Sequence, residues 1–459
     1  MSTQLERNIA QLQSLARDLG LDYYLVDFEV VPPSFMMEVA VYGLPVRMPH
    51  WSFGVRWIYQ MVQHRMGHSR IFEVVFPGNP NRAYLVNSNS TEENTLVVAH
   101  VLGHADFSHN NLLFKRSQEQ AGYHIVEQAA AHAHRIERAI ESAGQRRVEA
   151  VLDAALALEQ HIDSHQSLNR PLYPERPADK PATAPIDPFQ NRFSELPGES
   201  TGKPERPLVQ RIKLPPRPEY DLLWFIAHYA PDMEDWARDI FLAVREESFY
   251  FQPVFSCQIM NEGWACHWHA RLLREARFLA DDLYLEAMKT HSDVVRPYAG
   301  NNQVALAINP YHLGFMLWDR IVKEQGMDAA LRIRREEDDF GFVRNYLDAE
   351  LARELDLLVY KARRNGEIRI SEADLAELHE AILLPKYNFG APRIAVDEIR
   401  VDGTLVLRHE HQVDGRGLDT ERARKVLVYI HAVWHRPVLL YTVDGRGETQ
   451  CLEYGHGQF

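Results

Sequence analysis

The chain has few cysteines and no long apolar run. Only three cysteines occur among its 459 residues, Cys257, Cys266 and Cys451, which excludes a disulfide framework and favours reduced thiols. No segment approaches the roughly 18 consecutive apolar residues that a membrane-spanning helix needs. The first twenty residues also lack the basic and apolar regions of a secretion signal. These absences predict a cytoplasmic protein without a membrane span.

An excess of basic charge and several common catalytic motifs are also missing. The formal net charge is −14, whereas binding to nucleic acid needs a basic surface, so we expect no nucleic-acid partner. The sequence contains no G-x-x-x-x-G-K-[ST] loop, no G-x-S-x-G elbow and no C-x-x-C pair. A nucleotide-binding P-loop, a serine-hydrolase elbow and a Cys-based zinc or redox motif therefore have no support.

The apolar periodicity divides the chain into two parts. Helical patterns predominate to about residue 384, apart from a predicted β-hairpin formed by IFEVVF at 71–76 and AYLVN at 83–87. After Gly390 the period changes to short strands, with one helix that Asp419 can cap. We predict an α+β fold with a mainly helical domain over 1–389 and a small α+β domain over 390–459. In the small domain, one helix would pack on an antiparallel sheet.

A proline-rich stretch interrupts the larger domain. Twelve of the chain's 25 prolines lie between Pro171 and Pro218. This density is typical of a surface excursion or a linker and not of a packed core. The sequence therefore predicts an insert at about 163–218. Just before the insert, residues 119–162 have the pattern of one long helix.

Two histidines four residues apart carry the first candidate chemistry. His100 and His104, in AHVLGHADF, would lie on one face of a helix and could share a metal ion. The residues before them are apolar, so the helix should be buried, and buried imidazoles need partners. A zinc ion or ordinary hydrogen bonds would both supply partners. Val101 stands where zinc proteases of the HExxH type have their catalytic glutamate.

A second helical motif, NEGWACHWH, could complete such a site. Glu262 and His269 are seven residues apart and share one helix face. A glutamate among tryptophans must be paired or coordinated. Gly263 costs up to about 1 kcal/mol relative to alanine in a helix, which makes sense where another backbone comes close. The two helices, packed together, would present His100, His104 and Glu262 to one zinc ion.

Nearby polar residues could serve the site or only the fold. Asp106 could orient an imidazole through its second ring nitrogen, or it could close a helix turn. Asn110 and Asn111 could bind amide groups of a substrate, or they could satisfy backbone groups at a turn. Cys266 is an alternative soft ligand, although a buried structural thiol is the simpler interpretation.

A general base must come from elsewhere, because position 101 is a valine. Glu246 and Glu247, in REESFYFQP, could activate a water molecule. His228 could do the same. For each of these three residues an ordinary structural role is the simpler interpretation.

The motifs together resemble a known family. YGLPVRMPHWSFG, AHVLGHADFSHNN, REESFYFQP, IMNEGWACHWH, NPYHLG and RNYLD occur in this order, which closely resembles the SpoVR family, named for stage V sporulation protein R. The resemblance runs over roughly residues 19–389, and the C-terminal domain also resembles that of the family. It implies a link to spore-cortex formation, and hence to peptidoglycan. It also implies a PrkA-type serine protein kinase and a von Willebrand factor A-like protein as partners, because their genes are common neighbours.

Two functions follow as hypotheses. The first is a zinc-dependent hydrolase that cleaves an amide bond in peptidoglycan-derived or related cell-wall peptides. The expected metal ligands are His100, His104 and Glu262, the expected catalytic residues are Glu246, Glu247 and His269, and the expected substrate-binding residues are Asp106, Asn110 and Asn111. The second is a non-enzymatic regulator or scaffold that works with the kinase and its partner protein.

Overall fold

The computed structural model describes residues 2–65, 73–166, 170–173, 213–295, 309–357, 359–362, 368–371 and 374–455. Before the proline-rich stretch its elements are α1 (Thr3–Asp18), β1 (Val26–Val31), α2 (Pro33–Tyr42), α3 (Trp51–Arg65), β2 (Glu73–Phe76), β3 (Asn81–Val86), α4 (Thr91–Asn110), α5 (Leu112–Ala121), α6 (Ile125–Ala143) and α7 (Gln145–Ala157).

The part of the larger domain after the proline-rich stretch is again mainly helical. Its elements are α8 (Leu222–Tyr229), α9 (Asp235–Ser256), α10 (Gln258–Glu275), α11 (Asp281–Val294), α12 (Pro310–Gln325), α13 (Met327–Glu336), α14 (Asp339–Tyr346), α15 (Ala349–Glu354), β4 (Val359–Ala362), β5 (Ile368–Ser371) and α16 (Leu375–Leu383), followed by a 3-10 turn at Leu384–Gly390. The C-terminal elements are β6 (Ile394–Ile399), β7 (Leu405–His409), α17 (His411–Asp414), α18 (Thr420–Trp434), β8 (Val438–Val443) and β9 (Thr449–Tyr454).

The predicted α+β class is confirmed. The predicted hairpin forms from β2 and β3, which pair antiparallel with Glu73 opposite Leu85; its first two residues lie outside the described residues. Strand β1 adds to β3 in parallel, and the sequence pattern did not reveal it. Most of the predicted proline-rich insert, 167–169 and 174–212, also lies outside the described residues.

The single long helix predicted for 119–162 is wrong. Helix α5 ends at Ala121, α6 ends at Ala143 and α7 begins at Gln145. The break is at Gly144, whose φ is +89°. Only glycine adopts this conformation without a steric cost, so the chain turns here although the apolar period continues on both sides.

The C-terminal sheet has the order β6-β7-β8-β9. The two outer pairings are antiparallel, as predicted, but β7 and β8 pair in parallel. The parallel pairing arises because α18 lies between these strands in sequence and crosses back over the sheet. Asp419 caps α18 by accepting hydrogen bonds from the backbone of Glu421 and Arg422, as its position predicts.

The small domain and the helical body share one hydrophobic core. Leu427 and Ile430 of α18 belong to the same buried cluster as Leu152 of α7 and Leu222 of α8. The second cluster lies in the body and contains the helices of the candidate site, α4, α10 and α12. Within the described ranges, no helix is long and apolar enough to cross a membrane.

Candidate metal centre

Helix α4 has a well-defined start. The Ser90 hydroxyl accepts a hydrogen bond from the backbone N–H of Glu93, and the Glu93 carboxylate accepts one from the backbone N–H of Ser90. This capping box satisfies two free donors of the first turn. The helix is buried continuously from Asn94 to Ser108. Both His100 and His104 therefore face neighbouring helices and have little access to bulk water.

Two glycines allow three helix backbones to meet at the site. A Cβ atom at Gly103 would lie 2.7 Å from the Cα atom of Ala265, and one at Gly263 would lie 2.4 Å from the Cα atom of Gly314. Real side chains do not tolerate such distances, so only glycine fits at either position. The expectation that Gly263 marks a close backbone approach is confirmed. As a result α10 packs tightly between α4 and α12.

The predicted ligands come together across α4 and α10. The Oε2 atom of Glu262 lies 3.6 Å from Nε2 of His100 and 3.5 Å from Nε2 of His104. This oxygen is buried and has no hydrogen-bond partner among the described residues. A tetrahedral zinc ion with bonds of about 2.0–2.1 Å places neighbouring ligand atoms roughly 3.3–3.4 Å apart. The two distances from Glu262 are close to this spacing, and the ligand atoms of all three residues lie within 4.8 Å of one another. A His₂Glu set would leave one coordination position of a tetrahedral ion open.

The second ring nitrogens of both histidines are occupied in a way that suits metal binding. Nδ1 of His104 lies 2.9 Å from the amide oxygen of Asn261, so it carries the proton and leaves Nε2 free. Nδ1 of His100 lies 2.9 Å from Nδ1 of His269, whose Nε2 in turn contacts Nδ1 of His291. If Nδ1 of His100 donates to Nδ1 of His269, and Nε2 of His269 donates to Nδ1 of His291, then Nε2 of His100 carries no proton and is also free to bind a metal. Such outer contacts fix the tautomer and orientation of ligand imidazoles.

Electrostatics of the cluster favour a negative Glu262 and a neutral His269. Burial alone would raise the pKa of Glu262, but His104 and His100 lower it below its ordinary value. Burial, together with the neighbouring histidines His100 and His291, holds the pKa of His269 well below its ordinary value. Glu262 is therefore negatively charged and could serve as an anionic ligand, while His269 is a neutral hydrogen-bond partner.

Two further side chains face the cluster, and the sequence had not identified them. The Oε1 atom of Glu73, the first residue of β2, lies 3.9 Å from Nε2 of His100. Burial raises the pKa of Glu73, while His100 and His104 act in the opposite direction. The charge of Glu262, and then burial, raises the pKa of Tyr311 well above its usual value, so its hydroxyl stays protonated.

A second group of possible ligands overlaps the first. His100, Cys266 and His269 also lie close enough together to hold an ion. However, burial raises the pKa of the Cys266 thiol well above its usual value, and metals bind the thiolate. Nδ1 of His100 is also already engaged with His269. The chemistry of the donors therefore favours His100, His104 and Glu262.

Asp106 joins helices, and among the described residues its hydrogen-bond partners do not include an imidazole. It accepts hydrogen bonds from the indole N–H of Trp264, at 2.8 Å, and from the backbone N–H of Asp22, at 2.9 Å. Its carboxylate also forms a buried ion pair with Arg334, at 2.6 Å. Through these contacts Asp106 ties α4 to α10, to α13 and to the segment after α1.

Asn110 and Asn111 are engaged with the backbone. The side-chain amide of Asn110 donates to the carbonyl oxygens of Asp22 and Asp106. Asn111 caps α5 and donates to the carbonyl oxygens of Arg334 and Glu337. These contacts stabilise the end of α4.

Glu246 and Glu247 lie in a different polar cluster. Glu247 is fully buried and pairs with Arg47 at 2.7 Å and with Nδ1 of His132 at 3.1 Å. Glu246 contacts Nε2 of the same imidazole at 3.2 Å and accepts a hydrogen bond from Gln128. His228 is exposed on α8 and contacts the carbonyl of Trp224. The structure thus brings His269, but neither glutamate, into the group around His100.

The His132 cluster makes stability depend on pH. Burial alone would lower the pKa of His132, but Glu246 and Glu247 raise it to about 9 from an ordinary value of 6.5. Its contribution to stability is therefore fully present below pH 6.5 and is lost as the pH rises towards 9. We expect His132→Gln to reduce the free energy of unfolding most at pH 6, and progressively less between pH 6.5 and 9. Urea titrations across this range measure the difference from the wild type.

His134 provides a control on the same helix. Its side chain is 79% exposed, so His134→Gln should change the free energy of unfolding little at any pH. A constant deficit of the His132 variant from pH 6 to pH 9.5 would contradict the assigned protonation.

The site residues that the sequence did not reveal have different origins. Asn261 and Tyr311 lie inside the motifs IMNEGWACHWH and NPYHLG, so these motifs could have indicated that both residues belong to the site. Glu73 belongs to a short strand that is distant in sequence from both helices. His291 lies on α11 without a recognisable motif. No local pattern assigns Glu73 or His291 to the site, because only tertiary packing places them there.

An α+β protein with a His₂Glu cluster on two packed helices is the class that fold and site define. Residues 1–388 match the family described as SpoVR like protein, and residues 392–445 match the SpoVR-like C-terminal domain. The chain belongs to the SpoVR family. It is similar to the uncharacterized protein YcgB of Escherichia coli (strain K12), with 27% identity over 485 aligned residues that cover 98% of this chain and 94% of that protein. No solved structure matches the chain.

Proposed function

We propose that the protein is a zinc-dependent hydrolase of amide bonds. The observation that supports this most directly is the Oε2 atom of Glu262, which is buried without a hydrogen-bond partner among the described residues and lies 3.5–3.6 Å from two histidine Nε2 atoms. A buried carboxylate oxygen is costly to leave unpaired. A cation between the three side chains removes that cost.

The protein's own groups would divide the chemistry as follows. His100, His104 and Glu262 would hold the ion, which supplies Lewis acidity and lowers the pKa of water when bound. Glu73 would take the proton from the attacking water at a carboxylate oxygen and pass it to the leaving amine. Its raised pKa suits this exchange, because burial weakens its acidity. The protonated hydroxyl of Tyr311 hydrogen-bonds to the Glu262 carboxylate and would hold this ligand in position.

This assignment moves the proposed base from Glu246 or Glu247 to Glu73. Glu247 is enclosed by Arg47 and His132, whereas Glu73 faces His100. The proposed orienting role of His269 is retained, since it contacts Nδ1 of His100. Asp106 is proposed to act at a distance, by holding Trp264 and hence the helix that carries Glu262.

The proposed substrate class is a peptide of the cell wall. The support for this class is the family link to sporulation. Formation of the spore cortex involves peptidoglycan, and the peptides of peptidoglycan contain amide bonds. The ligand set on two helices also resembles that of zinc peptidases of the HExxH type. It differs from theirs in that Val101 stands in place of the catalytic glutamate. Cytoplasmic precursors or recycled wall fragments would be substrates that such a protein can meet.

Glu73→Gln separates the base from the metal ligands. We expect the variant to keep its zinc and to hydrolyse a muropeptide on the order of 10²–10⁴-fold more slowly than the wild type. Zinc content is measured by plasma mass spectrometry, and the released amine by chromatography with mass detection. Glu246→Gln and Glu247→Gln are the matched controls, and they should keep both zinc and turnover if Glu73 is the base. Full activity of Glu73→Gln, with lost activity in either control, would return the assignment to the REESFYF segment.

A regulatory role is the second candidate, and Val101 favours it. This side chain is fully buried in the core. The residue at the usual position of the catalytic glutamate therefore contributes only to packing. The protein would then keep its metal site for stability and act through a PrkA-type serine protein kinase and a von Willebrand factor A-like protein. Zinc binding by a wild type that hydrolyses no muropeptide, together with capture of the purified kinase, would support this candidate over the hydrolase.

A further inference from the structure

A cavity of about 460 Å³ lies at the seam between the helical body and the C-terminal domain. From the body it is lined by residues at the end of α7 and the start of α8, such as Leu158 and Leu222. From the small domain it is lined by β6, β7, β8 and α18, with Leu407 and Ile430 among the lining residues. Cavities of this size, largely apolar and at a domain interface, are typical sites for small molecules.

One buried imidazole faces this cavity with a ring nitrogen to spare. His161 is 8% exposed and lines the cavity. It has a weak hydrogen bond with the backbone of Pro392, in which the carbonyl oxygen accepts from a ring N–H. Neither ring nitrogen has a partner of full hydrogen-bond geometry among the described residues, so the second nitrogen is left unpaired, and this costs free energy because the nitrogen has lost water. The wall of the cavity therefore offers an acceptor that the described residues do not use.

The charged groups at the cavity balance one another. Asp414 pairs with Arg416 at 2.7 Å, and Asp419 pairs with Arg422 at 3.4 Å. All four residues line the cavity, and their formal charges sum to zero. A ligand with a full charge would therefore lose hydration without gaining an unpaired counter-ion. A neutral ligand avoids this loss.

We propose that this cavity binds a neutral, mostly apolar molecule with one hydroxyl or amide group, and that this group hydrogen-bonds to His161. The site is separate from the metal centre, and its occupant would stabilise the seam between the two domains. Its function does not depend on the proposed hydrolase activity.

Three ten-carbon probes test the chemistry of the ligand. 1-Decanol, decanoate and decylammonium share one chain and differ in the charge of the head group. Used below the concentrations at which they aggregate, they are titrated into the full-length protein by calorimetry, with melting temperature as a second readout. We expect 1-decanol to bind at least tenfold more tightly than either ion and to raise the melting temperature. No binding of 1-decanol, or tighter binding of an ion, would overturn the proposal.

His161→Phe tests the role of the imidazole. Because phenylalanine keeps an aromatic ring and removes the unpaired nitrogen together with the weak contact to Pro392, the free variant should melt close to the temperature of the wild type. Its affinity for 1-decanol should fall about five- to tenfold, the effect of one hydrogen bond. A lower melting temperature with unchanged affinity would show that His161 serves packing and would overturn the assignment.

A cavity-filling pair locates the binding site. Ala423 of α18 lines the cavity, whereas Lys425 of the same helix is exposed and does not. Ala423→Phe should abolish binding of 1-decanol, and Lys425→Phe should leave it unchanged. If Ala423→Phe melts far below the wild type, Ala423→Leu is used in its place, because leucine fills less of the cavity. Equal binding by the folded filled variant and the wild type would place the probe elsewhere and contradict the proposal.

Discussion

His104→Ala should remove stoichiometric zinc from the purified protein. The imidazole supplies one of three ligand atoms, and its Nε2 lies 3.5 Å from Oε2 of Glu262. Two remaining ligands cannot form the closed frame that a tetrahedral ion needs. We expect affinity for zinc to fall by more than the 10–100-fold that loss of an outer partner causes. Competition with a chromophoric chelator gives the affinity, and plasma mass spectrometry gives the bound metal.

His109→Ala is the matched control for this experiment. His109 belongs to the same helix, and its nearest acidic partner is Asp22 at 3.6 Å, away from the cluster. The control should bind one zinc ion per chain as the wild type does. Equal zinc content in His104→Ala and the wild type would show that the three side chains are not the ligands. If the wild-type protein contained no zinc after dialysis against a zinc solution, this result would contradict the proposed metal centre as a whole.

Asp106→Ala should cost about 3–5 kcal/mol of unfolding free energy, the typical penalty for removing one partner of a buried ion pair. Asp106 is completely buried and Arg334 is 7% exposed, so the guanidinium would remain charged without a counter-ion. The indole N–H of Trp264 would also lose its acceptor. Urea-induced unfolding followed by tryptophan fluorescence measures the loss.

Two further variants test this interpretation. Glu324→Ala removes an exposed carboxylate that lies 2.9 Å from Arg320, and it should cost less than about 1 kcal/mol. In Asp106→Ala/Arg334→Met the stranded charge is gone, so the double variant should be more stable than Asp106→Ala alone. A single variant as stable as the Glu324 control, or a double variant less stable than the single one, would contradict a buried ion pair.

Much of the fold could be predicted because it depends on local patterns. The hairpin of β2 and β3 and the capped helix α18 follow from the period of the apolar residues and from turn and cap chemistry. The failures have two different causes. One glycine in a left-handed conformation, Gly144, ends a helix whose apolar period continues. The parallel pairing of β7 and β8 depends on the path of α18, which no single strand encodes.

The sequence by itself determined the ligand candidates. Helical geometry fixes which residues share a face, so the spacing of His100 and His104, and the polarity of Glu262 among aromatic residues, identified them before any contact was known. The same geometry could not determine the surroundings of the ligands. Asp106 has the spacing of an outer partner for an imidazole, yet its carboxylate is used by Arg334 and Trp264.

Only the tertiary structure decided which carboxylate faces the candidate metal centre. Glu73 reaches His100 from a strand, while Glu247 is held by Arg47 from a segment about two hundred positions away. The approach of α4 and α10, which brings Glu262 to His100 and His104, is likewise tertiary, and Gly103 permits it at a distance that other residues would prevent. Helical spacing is a property of neighbouring residues and can be read from the chain. The partner of a buried charge depends on which distant segments pack against it.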